Sequence, residues 1–440
     1  MKKRTVSFLL FLGFISYIST TCAQDSVFAR QVICTLASPE MAGRNIEKGG
    51  DAKAAAYLSR CFSNMGVLPV DEQYYQPFSY PTFAMDGKVD VQLGARRLSP
   101  RTDYRIADYS AALHSKLKIV RLSPALLLSK NRAQLDKWLQ KTAKNRIRIA
   151  VYLNLTEPYK AASEAEEKEF SQAISQLRYN NPFQTAALLI EEAQLPAQSL
   201  AGGKYERNFT TIYLRAGTLK RAHKNITINL DNQHTLFATQ NVCALERGAV
   251  DSFIVFTAHY DHLGAMGEHV YYPGAHDNAS GCAAVLDLAR YFHYNPLKYN
   301  ILYILFSGEE SGLLGSQFFV ENPLIDLSKI KLLVNLDMFC GGTDGMMLEN
   351  VLSIDSGRFY QNLLTLNEQY QFHKELKQRA NAPNSDHYPF TQKGVPAMFI
   401  YVLGGRYGGY HSPDDNCERC GLEGYESSIS LIIKGVKGVE

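Results

Sequence analysis

Five short clusters hold the residue types that could do chemistry. They are His259-Tyr260-Asp261-His262, Asp277-Asn278-Ala279-Ser280-Gly281, Gly308-Glu309-Glu310, Leu336-Asp337-Met338 and Tyr410-His411-Ser412-Pro413-Asp414. Singly each is weak, because a polar residue at a strand end usually just satisfies a hydrogen bond. Together they offer imidazoles from His259 and His411 and carboxylates from Asp277, Glu310 and Asp337. That nitrogen–oxygen set suits zinc and is tolerable to cobalt or manganese. Five ligands are too many for one catalytic zinc, which keeps three and leaves a position open. If Asp277 bridges, the set divides evenly. One metal takes His259, Asp337 and Asp277, and the other takes Glu310, His411 and Asp277. Two metals about 3.5–4 Å apart form a hydrolytic site.

Glu309 and Glu310 are neighbours and cannot point the same way, so Glu310 is read as the ligand and Glu309 as general base toward a shared water. A competing reading makes Glu310 part of a capping box with Ser307, three residues earlier. Asp261, two residues after His259, is a candidate to orient that imidazole. His262 and His276 are read as non-ligands.

These clusters need elements that deliver them to one place. From Ser252 onward strands and helices alternate, with strands at 252–257, 300–306, 331–336 and 397–402 and helices at 278–293 and 309–321. The polar clusters follow strand ends, the edge at which open α/β sheets build sites. Near the start, 26–37 and 51–66 read as helices around a loop holding Ser38-Pro39-Glu40-Met41-Ala42-Gly43-Arg44. Residues 85–235 differ: short β-type runs such as 149–153 and 187–190 alternate with charged linkers, and 161–176 reads as a surface helix or mobile arm. This stretch reads as a separate β-rich module without catalytic residue types. The expected division is therefore 1–23 signal peptide, 24–84 first part of the catalytic domain, 85–235 insert and 236–440 catalytic domain.

Lys2-Lys3-Arg4, the apolar run 6–18 and small residues up to Ala23 make an export signal, cleaved after Ala23. The run is too short to span a bilayer, and no later stretch is long and apolar enough to do so. An acylated Cys22 is the lesser alternative. The formal charge of +3 falls to zero once those three basic residues leave (3 − 3 = 0), which removes any electrostatic case for nucleic acid or an anionic membrane. Eight cysteines are present, and seven remain without Cys22. Cys34 with Cys61 and Cys417 with Cys420 are the expected pairs in an oxidising compartment.

In this order the clusters resemble the M28 family of zinc peptidases. The resemblance runs through "TAHYDHLG" at 257–264, "GAHDNASG" at 274–281, "FSGEESGLLGS" at 306–316 and "NLDM" at 335–338. It continues in "SDHYPF" at 385–390, "GVPAMFI" at 394–400 and "YHSPDD" at 410–415, and the opening segment 38–67 also resembles the family. It implies an α/β fold with a mixed, mainly parallel sheet flanked by helices, two zinc ions per chain and peptide substrates cut at the amino end. Carried over, the metal ligands fall on His259, Asp277, Glu310, Asp337 and His411, the base on Glu309 and the orienting carboxylate on Asp261. Tyr410 is implied as a stabiliser of the tetrahedral intermediate, and the 85–235 stretch stands where exported relatives carry a protease-associated domain. Glutaminyl cyclases resemble the family but work with one zinc. They commonly have Ser after the metal-binding Asp, where this chain has Asn278. A binding protein that has lost catalysis is the third reading, yet no ligand and no base is missing.

Overall fold

Four runs rich in β-branched and aromatic residues, Val250–His259, Tyr299–Phe306, Ile330–Leu336 and Ala397–Leu403, are buried almost throughout. Continuous apolar runs of this kind belong to strands covered on both faces. The computed structural model describes residues 25–439 apart from 86, 108, 178, 201–206, 268–269, 352–353 and 405–408. The export signal, with Lys2, Lys3, Arg4, Cys22 and Ala23, lies outside the described residues.

The four strands pair in parallel, in the order Tyr299–Phe306, Val250–His259, Ile330–Leu336, Ala397–Leu403. Around them the sheet is mixed and nine-stranded among the described residues. Gln233–Glu246 runs antiparallel beside Tyr299–Phe306, and Gly345–Glu349 antiparallel beside Ala397–Leu403. The helix Ser280–Tyr294 lies on one face with Ser26–Leu36 and Gly50–Met65, in one continuous apolar core. Phe253, Val255, Phe306, Phe319 and Phe390 fill the other face. The α/β expectation thus holds, with the parallel strands at the centre and antiparallel ones toward both edges.

Gln233–Glu246 also pairs along its length with Tyr75–Ala84. These two long strands lead to a second, eight-stranded sheet spanning Val89–Leu93 to Asn225–Leu230. Leu113–Leu122, Ile149–Asn154, Ala187–Glu192 and Thr210–Arg215 are parallel within it, and Tyr104–Ile106 closes the edge beside Thr210–Arg215. It has its own apolar clusters, including Trp138, Phe183 and Phe209. The segment expected as a surface helix or arm is the helix Glu164–Leu177, whose first turn carries Glu164, Glu166 and Glu167, favourable to the helix dipole.

The cysteines pair differently from the expectation. Cys34 bonds Cys417 and Cys340 bonds Cys420, while Cys61 is free. Proximity in sequence misled because Cys61 sits on a different helix from Cys34, and the 410–420 segment folds back over Ser26–Leu36. Arg30 on that helix donates to the Cys417 carbonyl at 2.9 Å. Both bridges therefore fasten the segment that carries His411.

A second long-range contact carries a pH prediction. Burial pulls the His373 imidazole down to about 4, and its Nε2 lies 3.0 Å from Ser428 Oγ on the last helix. The unfolded chain therefore takes up a proton here near pH 6.5 while the folded one resists until about pH 4. Stability from this group is full above pH 6.5 and is lost as pH falls through that window. Between pH 7 and 4.5 the native protein should lose roughly 2 kcal/mol more than His373→Gln, after discounting for partial solvent contact. Urea midpoints at the two pH values measure it, and equal losses in the two proteins would refute it.

Candidate metal centre

The clusters converge at the carboxyl edge of the central strands. His259 is the last residue of Val250–His259, and Asp337 follows Ile330–Leu336 directly. Glu309 and Glu310 follow Tyr299–Phe306. Asp277 lies in the turn Ala275–Ala279 that leads into the helix Ser280–Tyr294, across a cis peptide bond to Asn278. The Asn278 side chain then ties that turn to the neighbouring strand. Its Nδ2 donates to Leu336 O at 3.0 Å, and its Oδ1 accepts from Gly281 N and Met338 N. A Cβ on Gly281 would meet Leu336 O at 2.3 Å, so only glycine permits this approach.

The segment 309–313 is not helical; the helix begins at Leu314, with Gly308, Gly312 and Leu313 all at positive φ. This settles the competition over Ser307. Its hydroxyl meets Thr239 Oγ1 at 2.7 Å and caps nothing. The amide N–H groups of Glu309 and Glu310 donate instead to Asp261 Oδ1 and Oδ2, at 3.1 and 3.2 Å. Asp261 thus holds the Glu309-Glu310 turn with its carboxylate. Its own backbone carbonyl is the nearer partner of His259 Nδ1, at 3.2 Å against 3.7 Å for the carboxylate.

The donor atoms are arranged around Asp277. Its Oδ1 is 3.3 Å from His259 Nε2, and its Oδ2 is 3.1 Å from His411 Nε2. Asp337 Oδ1 stands 3.4 Å from His259 Nε2, and Glu310 Oε2 stands 3.2 Å from His411 Nε2. Charge-assisted imidazole–carboxylate hydrogen bonds close to about 2.7–2.9 Å, so these four contacts are too long for that. Ligand bonds of about 2.0–2.1 Å at tetrahedral angles separate donor atoms by about 3.3 Å. The spacing fits donor atoms around a divalent metal. Asp337 Oδ1 is also buried with no hydrogen-bond partner, a cost that a cation removes. The residues fit two divalent ions, one on each side of Asp277.

Neighbours aim these groups. Ser385 donates to Asp337 Oδ2 at 2.7 Å and receives a bond from Asn335 Nδ2. His262, expected to be no ligand, lies beside the second set: its Nδ1 is 2.6 Å from Glu310 Oε1. His262, Asp277 and Glu310 are close enough to share an ion. His411 presents the better-placed nitrogen, because its other nitrogen, Nδ1, donates to Gln198 O at 2.7 Å and leaves Nε2 facing both carboxylates. Gln198 belongs to the stretch expected to hold no part of the site. Arg44, in the loop after the first helix, is fully buried and reaches Tyr260 O, Gly274 O and Asp277 O at 2.7, 2.8 and 3.1 Å. Asp415 accepts from the amides of His276 and Asp277. Ser385 in "SDHYPF", Asp415 in "YHSPDD" and Arg44 in the 38–67 segment lie in motif runs that could have drawn attention to them. Gln198 acts through a contact that no spacing encodes.

Burial opposes charge on His411, but Glu310 and Asp277 hold it up to about 11, and Glu309 and Asp337 lift His259 well above its ordinary value. Burial would also raise Glu310, yet His411 and His262 bring it down to about 2, and His259 and His411 draw Asp277 well below the carboxylate range. Glu309 goes the other way. Burial, together with Asp386, Asp337 and Glu310, outweighs His259 and holds it well above that range. Tyr410 is half exposed, and its ring stacks on His411 with centroids 3.8 Å apart. Glu309, Met338, Phe399, Tyr401 and Tyr410 join the donors in lining one cleft.

Residues 241–435 match the model of Peptidase family M28. The aminopeptidase YwaD of Bacillus subtilis is 27% identical over 285 residues, which cover 62% of this chain and 58% of that protein. A probable leucine aminopeptidase of Arthroderma otae is 27% identical over 192 residues, 41% of this chain and 52% of that one. The chain thus spans little more than half the length of these curated relatives. The fold is similar to that of a zinc aminopeptidase from Bacillus subtilis, BSAP, with a TM-score of 0.67, 18% identity and coverage of 94% and 95% of the two chains. The stretch that matches the model of Peptidase family M28, residues 241–435, contains all five donor residues and Glu309.

Proposed function

We propose that this protein is an exported aminopeptidase that works with two zinc ions. His259, Asp337 and Asp277 would hold one ion, and Glu310, His411 and Asp277 the other. The observation that carries the reading is that opposite oxygens of Asp277 face two separate imidazole–carboxylate pairs, at 3.3 and 3.1 Å. Zinc, when bound, supplies Lewis acidity and lowers the pKa of water. Glu309 lies beside His259, with Oε2 3.9 Å from Nε2, and faces the same cleft. It takes the proton of the attacking water and returns it to the leaving amine. Tyr410, on the rim, donates its hydroxyl hydrogen bond to the oxyanion that develops on the first peptide carbonyl. Asp261 keeps Glu309 and Glu310 on their separate courses through their backbone amides.

Residues 24–84 and 236–440 form the peptidase domain in this reading, with 85–235 as an insert. Export agrees with two disulfides, which persist in oxidising compartments. No helix among the described residues is long and apolar enough to cross a membrane.

Zinc content and turnover of the purified protein test the reading together. About two zinc ions per chain with hydrolysis of leucine p-nitroanilide are expected. One zinc, with pyroglutamate released from a Gln-initiated peptide and no hydrolysis, would move the protein to the cyclases.

A further inference from the structure

A cavity of about 500 Å³ adjoins the metal cleft, and Tyr410 and His411 line both. Its other wall comes from the second sheet. Arg215 ends the strand Thr210–Arg215, Arg105 lies on the edge strand Tyr104–Ile106, and Arg101 sits in the turn just before it. The segment 193–198 follows the parallel strand Ala187–Glu192. This wall is therefore the carboxyl edge of parallel strands, the edge at which α/β sheets take ligands.

Three guanidinium groups line the cavity against a single carboxylate, Asp414. Asp414 lies 3.6 Å from Arg101 and is shared with Arg419, also at 3.6 Å. Arg101 and Arg215 thus bring two positive charges to a cavity whose lining carboxylate is already divided between two arginines. Arg105 is held in place: its Nε donates to Gln198 Oε1 at 3.0 Å and its Nη2 to Ser199 Oγ at 3.2 Å. Gln198 is the residue whose carbonyl accepts from His411 Nδ1, and its N–H donates back to His411 O at 3.4 Å. The arginine wall and the metal cleft are consequently one continuous surface. A peptide that extends from the cleft past Tyr410 and His411 therefore enters this cavity.

We propose that this cavity is a subsite for a carboxylate on the leaving portion of the peptide, bound by Arg101 and Arg215 beside the fixed Arg105. Guanidinium is the side chain best matched to carboxylate geometry. The inference rests on the aminopeptidase reading and deepens it. The carboxylate is either the C-terminus of a short peptide or an acidic side chain.

Two substrate pairs separate these sources on the zinc-loaded protein. Leu-Gly-Gly against its C-terminal amide reports the terminus, and Leu-Gly-Glu amide against Leu-Gly-Gln amide reports the side chain. A preference of about tenfold in kcat/KM for the carboxylate member of at least one pair is expected. The double substitution Arg101→Gln with Arg215→Gln should reduce that ratio to about two or less. Each ratio is internal to one protein, so partial misfolding cannot imitate its loss. Should the variant not fold, raising NaCl from about 0.05 to 0.5 M should shrink the native ratio by at least about threefold. Ratios near one in the native protein, or a tenfold ratio that survives the double substitution or the salt, would overturn the subsite. Failure to cleave leucine p-nitroanilide at all would instead count against the aminopeptidase reading itself.

Discussion

Glu309→Gln protein is expected to bind zinc as the native chain does and to lose about 10³-fold in kcat. Proton transfer by a positioned side chain contributes about 10²–10⁴-fold, and in the proposed mechanism one carboxyl group both takes and returns the proton. The amide has nearly the shape of the carboxylate, so the buried site keeps its packing. The Glu309-Glu310 turn also stays in place, because Asp261 holds it by the backbone amides at 3.1 and 3.2 Å. KM should change little, since the loss falls on the reacting step. Metal analysis beside steady-state kinetics on leucine p-nitroanilide decides the matter. Near-normal turnover with full metal would show that another group is the base.

Asp277→Asn should have a different signature, losing metal before it loses anything else. In the native chain each Asp277 oxygen faces its own imidazole. An amide replaces one of those oxygens by an NH₂ that cannot coordinate, and it removes a charge that both proposed metal positions would share. Zinc content should fall to about one equivalent or less, with activity down at least about 10³-fold. The melting temperature should also fall, since ligand bound only to the folded state stabilises it by mass action. Two retained zincs would mean that Asp277 does not bridge. Treating the native protein with a chelator should reproduce the loss of melting temperature and regain it on adding zinc.

Much of this is legible in the amino-acid sequence. The ligand types, their order and their places after strand ends pointed to one edge of an α/β sheet, and the strand runs around Val255, Ile304 and Val334 announced its buried centre. These signals are strong because they are local: residue chemistry and periodicity survive in the one-dimensional string. The helix start was less legible. The run from Glu309 reads as helix, but left-handed Gly308, Gly312 and Leu313 delay it to Leu314, and so the two glutamates lie in a turn.

What the amino-acid sequence determined by itself was the chemistry: two imidazoles and three carboxylates suited to a borderline cation, a free carboxylate beside them, and the sheet that carries them. Tertiary structure alone decided how those groups are held. Asp261 bonds the amides of the Glu309-Glu310 turn, Ser385 aims Asp337, Arg44 ties the Asp277 turn to the first loop, and Gln198 reaches from the second sheet to orient His411. It also joined Cys34 to Cys417 and Cys340 to Cys420 against the nearer partners. The physical reason is common to all of these. Each contact joins segments far apart in the chain, and its partner is selected by where the folded backbone passes, which no local spacing records.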